Sequence, residues 1–151
     1  KKIYVKHLGR YNVLSLRNKL WMRLMKDMNK PTLFFADTYA LIEIIKGSEK
    51  YHAYVDVPLI TTEYNLIELY YHCVHDHTRE EADFYFELFS PFVVPLTQKI
   101  ISDAMLFKLQ YVKEKLSYVD CIGYAAALEF GVKFLTGDVK FETKENVDWV
   151  K

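Results

Sequence analysis

Four acidic residues stand where a side chain can reach one end of a sheet. Asp37 directly follows the apolar run Thr32-Leu33-Phe34-Phe35-Ala36, and Asp138 lies two residues past the run Val132-Lys133-Phe134-Leu135-Thr136. Glu68 falls about two turns into an apolar helical stretch, and Asp120 sits in the first turn of the stretch opened by Ser117. Each has a plain structural reading. An Asp after a strand is often an N-cap, here for a helix starting at Tyr39. Ser117-Tyr118-Val119-Asp120 has capping-box spacing, Glu68 reads as a surface helix residue, and Asp138 as a turn residue. As a set they acquire a second reading. Two carboxylates about 4 Å apart repel by roughly 4 kcal/mol at an effective dielectric of about 20, so converging acids need a cation. An all-oxygen acidic site suits Mg²⁺ or Mn²⁺ and not Zn²⁺. Such ions activate water and neutralise charge on a phosphodiester in transit. The chemistry expected of the set is hydrolytic cleavage of a phosphodiester.

The elements that must position these acids follow from periodicity. Tyr39 to Lys46 reads as a helix that Gly47 can stop. Val55 to Ile60 is a second apolar run, interrupted by Asp56 and Pro58, after which Thr61 or Thr62 can cap a helix to about His75. Leu66, Ile67, Leu69 and Tyr70 around Glu68 predict a largely buried helix, where an unpaired carboxylate is costly. Glu63, about 140° round that helix from Glu68, is explained by the helix dipole. Arg79 to Phe89 reads as helix, and Pro91-Phe92-Val93-Val94-Pro95-Leu96 as a third, edge or short strand. Thr97 to Lys115 is helical by period, and Ser117 caps a further helix ending near Gly131. Val132 to Thr136 is the fourth strand and Asn146 to Val150 a fifth. Short apolar strands alternating with helices predict an α/β fold with a parallel sheet covered on both faces. Ligands of such sheets bind at the carboxyl ends of the strands.

Composition narrows the class. At 151 residues with 51% apolar and 26% charged residues, the chain has enough material for one domain with a real core. Five Gly and four Pro exclude collagen-like and low-complexity chains. No apolar run approaches the roughly 18–20 residues needed to cross a bilayer. Two cysteines, Cys73 and Cys121, make no disulfide framework, so a reducing cytoplasm is the simplest setting. No secretory signal is visible. The net charge of zero conceals an asymmetry: residues 1–30 carry nine Lys/Arg against Asp27 alone, and residues 31–151 carry 11 basic and 19 acidic residues. From Tyr11 to Lys30, Val13, Leu14, Leu20, Trp21, Leu24, Met25 and Met28 fall on helical spacing among basic residues, an amphipathic basic helix. Core packing is its first reading. Met28 offers an alternative start for a body that reads as complete without what precedes it.

Other signals are weaker. His72, Cys73, His75 and His77 crowd one helix end, but no second Cys/His cluster completes a zinc site, and surface histidines near a helix C-terminus are the simpler reading. Tyr70, Tyr71, Tyr118 and Tyr124 read as core, with base stacking the alternative. Cys121 reads as a small core filler.

Three blocks carry a resemblance to a known family. Phe35-Ala36-Asp37-Thr38-Tyr39-Ala40-Leu41-Ile42, then Thr61-Thr62 through Asn65-Leu66-Ile67-Glu68, then Asp120-Cys121-Ile122-Gly123-Tyr124-Ala125-Ala126-Ala127 with Leu135-Thr136-Gly137-Asp138-Val139-Lys140-Phe141, resemble in order and spacing the PIN-domain ribonucleases, especially VapC-type toxins of toxin–antitoxin pairs. The resemblance covers residues 32–150. It implies a three-layer α/β/α fold with a five-stranded parallel sheet for the body, residues 31–151; the basic helical extension over residues 1–30 lies outside the family pattern. It implies Asp37, Glu68, Asp120 and Asp138 as catalytic, metal-binding acids, supported by Thr136 and Thr38, with Mg²⁺ or Mn²⁺ as cofactor. It further implies an RNA substrate, a homodimer, and a protein antitoxin whose tail places a basic side chain in the acidic cleft. One departure is Tyr39, where many members carry an Asn or Ser that helps orient the first Asp. Two other functions remain in view. A non-catalytic binding module would keep the fold without needing all four acids. A haloacid-dehalogenase-like phosphohydrolase would need an Asp at the position of Tyr39.

Overall fold

The computed structural model describes residues 33–151. The predicted basic helix, and with it the N-terminal boundary of the body, lies outside the described residues.

The first strand, β1 (Phe34–Ala36), is followed at once by helix α1 (Thr38–Lys46), with Asp37 as its N-cap and Gly47 ending it in the left-handed region at φ 70°. A short 3-10 segment, Glu49–Tyr54, leads to β2 (Leu59–Ile60). Three helices then follow in turn: α2 (Glu63–Asp76), α3 (Arg79–Phe89) and α4 (Gln98–Gln110). Helix α5 (Tyr118–Glu129) precedes β3 (Lys133–Thr136), and β4 (Val147–Trp149) closes the chain. The helix starts obey one local rule. Thr62, Thr78, Thr97 and Ser117 each hold extended backbone and accept a hydrogen bond from the amide three residues on.

The sheet runs β2-β1-β3-β4, all parallel. Its burial is the signature of a sheet covered twice. Phe34 and Ala36 enter one core with Leu41, Leu66, Leu69 and Leu135, drawing on α1, α2 and α3. Phe35 and Phe134 enter the other with Ile100, Ala104, Cys121 and Ala126, drawing on α4 and α5. The three-layer expectation therefore holds.

The expected third strand does not form as such, and the sheet has four strands instead of five. Ser90–Phe92 is a 3-10 turn, and pairing is reduced to one isolated parallel bridge between Thr61 and Val93. There the Thr61 amide donates to the Phe92 carbonyl at 3.0 Å and the Val94 amide to the Thr61 carbonyl at 2.9 Å. The prolines give the reason: neither Pro91 nor Pro95 has an N–H to extend the ladder. The second strand is likewise shorter than expected. Asp56 and Pro58 confine it to Leu59–Ile60, and Val55 is exposed. The helix expected to reach Lys115 stops at Gln110, followed by a 3-10 turn and Lys115 in the left-handed region.

Candidate functional site

The chain reverses direction across the sheet between β1 and β3: α1 carries it from β1 outward to β2, and it returns to β3 on the other side of β1. The carboxyl ends of these two central strands form the switch point at which parallel sheets bind ligands. There the Asp37 amide donates to the Leu135 carbonyl at 3.1 Å, fixing the two strand ends together.

A cleft of about 400 Å³ opens at this point. Asp37, Glu68, Asp120 and Asp138 all line it, so the structure brings together the four acids that lie far apart in sequence. Thr38 lines it as well, and Thr136 lies directly beneath, fully buried. Among the described residues no three His, Cys, Asp or Glu side chains stand close enough to hold a metal ion as placed; the acids ring the cleft without meeting at a point.

Asp37 is the buried member, at 3% exposure. Its Oδ1 accepts from the Thr38 amide at 2.7 Å and from Asn65 Nδ2 at 3.3 Å, and its Oδ2 accepts from the Thr136 hydroxyl at 2.8 Å. Burial, then the Asp120 carboxylate, push its pKa up to about 7; the Thr136 and Thr38 hydrogen bonds oppose the rise and Glu68 adds to it. A carboxyl so placed is short of positive charge, and a cation in the cleft would supply it. The all-oxygen donor set fits a hard divalent ion.

The other three acids also keep their structural duties. Asp120 completes a capping box: its Oδ2 accepts from the Ser117 amide at 2.7 Å while Ser117 Oγ accepts from the Asp120 amide at 3.0 Å. Asp138 caps the 3-10 turn Val139–Phe141 by accepting from the Lys140 amide at 2.9 Å. In both cases the plain reading and the cleft position are true of the same residue. Glu68 differs. Among the described residues it makes no hydrogen bond or ion pair, although it lines the cleft from α2. Its helix is also less buried than expected, because Ile67 beside it is 56% exposed.

Thr136 connects two of the acids, since its hydroxyl donates to Asp37 and accepts from the Asp138 amide at 3.1 Å. The residue that sequence reasoning passed over is Asn65. It is wholly buried, donates from Nδ2 to Asp37 Oδ1 and to Thr38 Oγ1 at 3.1 Å, and accepts the Thr62 hydroxyl at 2.5 Å. The signal that could have found it is an amide three residues past a Thr cap, on the side of α2 that faces the core. Asn65, Thr38 and Thr136 orient Asp37, so the orientation expected of an Asn or Ser at position 39 is supplied from elsewhere.

Tyr39 lies at the cleft instead, 44% exposed, with its ring over Gly137. A Cβ at Gly137 would sit 2.3 Å from Tyr39 Cε1 and 2.9 Å from the Val150 carbonyl oxygen. The ring can swing away more readily than the carbonyl, because the Val150 amide ties that backbone to the Thr136 carbonyl. Gly137→Ala is therefore expected to displace Tyr39 and lower stability by about 1–3 kcal/mol, measured by urea unfolding.

Of the four tyrosines expected in the core, Tyr124 is buried, but Tyr71 and Tyr118 are 66% and 62% exposed. The histidine cluster diverges: Cys73 is buried in the core, His75 contacts Asp76, His77 faces Glu81, and only His72 reaches the cleft. Cys73 and Cys121 are both free and buried. No described helix is long and apolar enough to cross a membrane.

The same fold recurs in known proteins. No curated protein matches the chain. Among solved structures, the sarcin-ricin loop cleaving toxin VapC20 of Mycobacterium tuberculosis is similar with a TM-score of 0.64 at 16% identity, over 78% of this chain and 99% of that one. A toxin–antitoxin complex from Klebsiella pneumoniae gives 0.61 at 19% identity, over 76% and 94%. VapBC-1 from nontypeable Haemophilus influenzae gives 0.61 at 17% identity, over 78% and 96%. At these identities the likeness shows the fold. The PIN domain profile matches residues 34–146, and with that match the chain belongs to the PIN-domain family.

Proposed function

We propose that this chain is a divalent-metal-dependent endoribonuclease that hydrolyses RNA phosphodiester bonds, and that it acts as the toxin of a cytoplasmic toxin–antitoxin pair. The observation that carries the reading is Asp37, a buried carboxyl at the switch point with three other acids around it and a pKa raised to about 7. The N-cap duty of Asp37 accounts for an acid at this position, but not for three further acids lining the same cleft around a carboxyl whose ionisation burial and the Asp120 charge oppose.

In this reading Asp37, Glu68, Asp120 and Asp138 hold Mg²⁺ or Mn²⁺. When bound, the ion supplies charge neutralisation at the phosphate and lowers the pKa of a water. The chain's own residues do the positioning. Thr136 and Asn65 fix the Asp37 carboxylate, and Ser117 fixes Asp120. Glu68, free of competing bonds among the described residues, is the acid best placed to reach a water or a proton at the cleft. The toxin role is supported by the toxin–antitoxin complexes among the similar structures, which also support an antitoxin partner. A homodimer belongs to the same reading, as does the division into a basic extension and a nuclease body.

The test is incubation of the purified chain with single-stranded and structured RNA in Mn²⁺, Mg²⁺ or EDTA, beside Asp138→Asn. Cleavage only with the metals, lost in the variant, is expected. Wild-type rates in the variant would remove Asp138 from the site, and cleavage in EDTA would remove the metal.

A further inference from the structure

Beyond the four acids, the cleft carries groups that the hydrolytic reading does not use. Tyr39, Ile42, Glu43 and Lys46 line it from α1, and His72 and Asp76 line it from α2. Steps of three, four and seven residues place Tyr39, Ile42 and Lys46 on one face of their helix, and His72 shares a face with Glu68 four residues before it. Since Asp37 caps α1, the seam between α1 and α2 starts at the acids, passes Tyr39, and reaches Lys46 about 10 Å further on. Tyr39 exposes its ring in a cleft otherwise rich in carboxylates, and the missing Cβ at Gly137 lets the ring sit where it does. Lys46 and His72 are the basic side chains of the cleft among the described residues. The Lys46 ammonium lies 3.9 Å from Glu43 with half its side chain exposed, a loose pairing that leaves it available.

We propose that this seam is the track for single-stranded RNA next to the cleaved bond: one base stacks on Tyr39, and a neighbouring phosphate is met by Lys46 and His72. The inference rests on the nuclease reading above. Its physical basis is separate: an acidic cleft repels a polyanion, and the Lys46 ammonium, only loosely paired with Glu43, is the charge on the α1 side that a phosphate can meet. An exposed aromatic ring offers any base a stacking face regardless of sequence. Stacking fixes the strand laterally, and Lys46 fixes its register relative to the acids.

The test is fluorescence anisotropy of a short labelled single-stranded RNA of mixed sequence in Ca²⁺, across a range of salt, for wild type, Tyr39→Ala, Tyr39→Phe and Lys46→Met. Cleavage by wild type in Mn²⁺ is measured alongside. Tyr39→Ala is expected to weaken binding about tenfold with the salt slope unchanged, and Tyr39→Phe to restore it. Lys46→Met is expected to weaken binding and reduce the slope by about 0.7, as when one phosphate is no longer neutralised by the protein. If wild type cleaves RNA but Tyr39→Ala and Lys46→Met bind as wild type does, the track is wrong and the nuclease reading stands. If wild type neither binds nor cleaves RNA, both fall.

Discussion

Asp37→Asn is expected to act on activity and stability in opposite directions. RNA cleavage should fall by about 10³ or more, since the buried member of the acid set is removed and each 1.4 kcal/mol of transition-state stabilisation is tenfold in rate. Stability without metal should rise. In the folded protein the Asp37 pKa is near 7, against 3.8 when unperturbed. The folded state therefore holds a proton that the unfolded chain has already released, and stability falls as pH rises from about 4 to 7. Above pH 7 the full penalty applies, on the order of 4 kcal/mol. Asn carries no such charge and can still accept from the Thr38 amide, although its amide fits Asn65 and Thr136 less well. A net gain of about 1–3 kcal/mol at pH 8 is expected in EDTA, vanishing near pH 4, read from thermal unfolding of both proteins across pH. A variant that loses activity and is also less stable at pH 8 would show that Asp37 is not a strained carboxylate.

Asn65→Leu should have the second largest effect. The side chains share the same branching and number of heavy atoms, so the change removes hydrogen bonds without opening a cavity, although the two methyl groups are bulkier than the amide they replace. It leaves the Thr62 and Thr38 hydroxyls and one oxygen of Asp37 short of their Asn65 partner inside the protein. Unsatisfied buried groups cost about 1–3 kcal/mol each, and partial relaxation brings the expected loss to about 3 kcal/mol in urea unfolding. Cleavage should also fall about tenfold or more, because Asp37 loses one of the groups that aim it. Asn65→Asp would add a further carboxylate beside Asp37 and should be more harmful than Asn65→Leu in EDTA.

Much of the fold and site is legible in the sequence because the cues are local. Asp37 after Phe34-Phe35-Ala36, the Thr62 cap and the Ser117–Asp120 box are set within a few residues, and periodicity places the helices. What the sequence leaves out depends on contacts between distant segments. Whether Pro91–Leu96 is a strand depends on which amides face Thr61, and the prolines limit that pairing to one bridge. The role of Asn65 appears only when α2 lies against the end of β1. Tyr39 reads in sequence as a loss at an orienting position, because the residues that orient Asp37 in its place lie well downstream, at Asn65 and Thr136. The exposure of Tyr71 and Tyr118 shows the same limit: aromatic composition predicts burial on average, not residue by residue.

The most direct test of the central claim needs no knowledge of the RNA. It is the thermal unfolding of the chain with Mn²⁺ against EDTA at pH 8 and at pH 5.5, for wild type and Asp37→Asn. A ligand that binds only the folded state stabilises it by about 2.7 kcal/mol at a hundredfold excess over its Kd. Mn²⁺ should therefore raise the wild-type midpoint by several degrees at pH 8. At pH 5.5, where the Asp37 proton competes with the ion, the rise should be much smaller, and in Asp37→Asn it should be nearly absent at both pH values. An equal rise in wild type and Asp37→Asn at pH 8 would contradict a metal site built on the acids of this cleft.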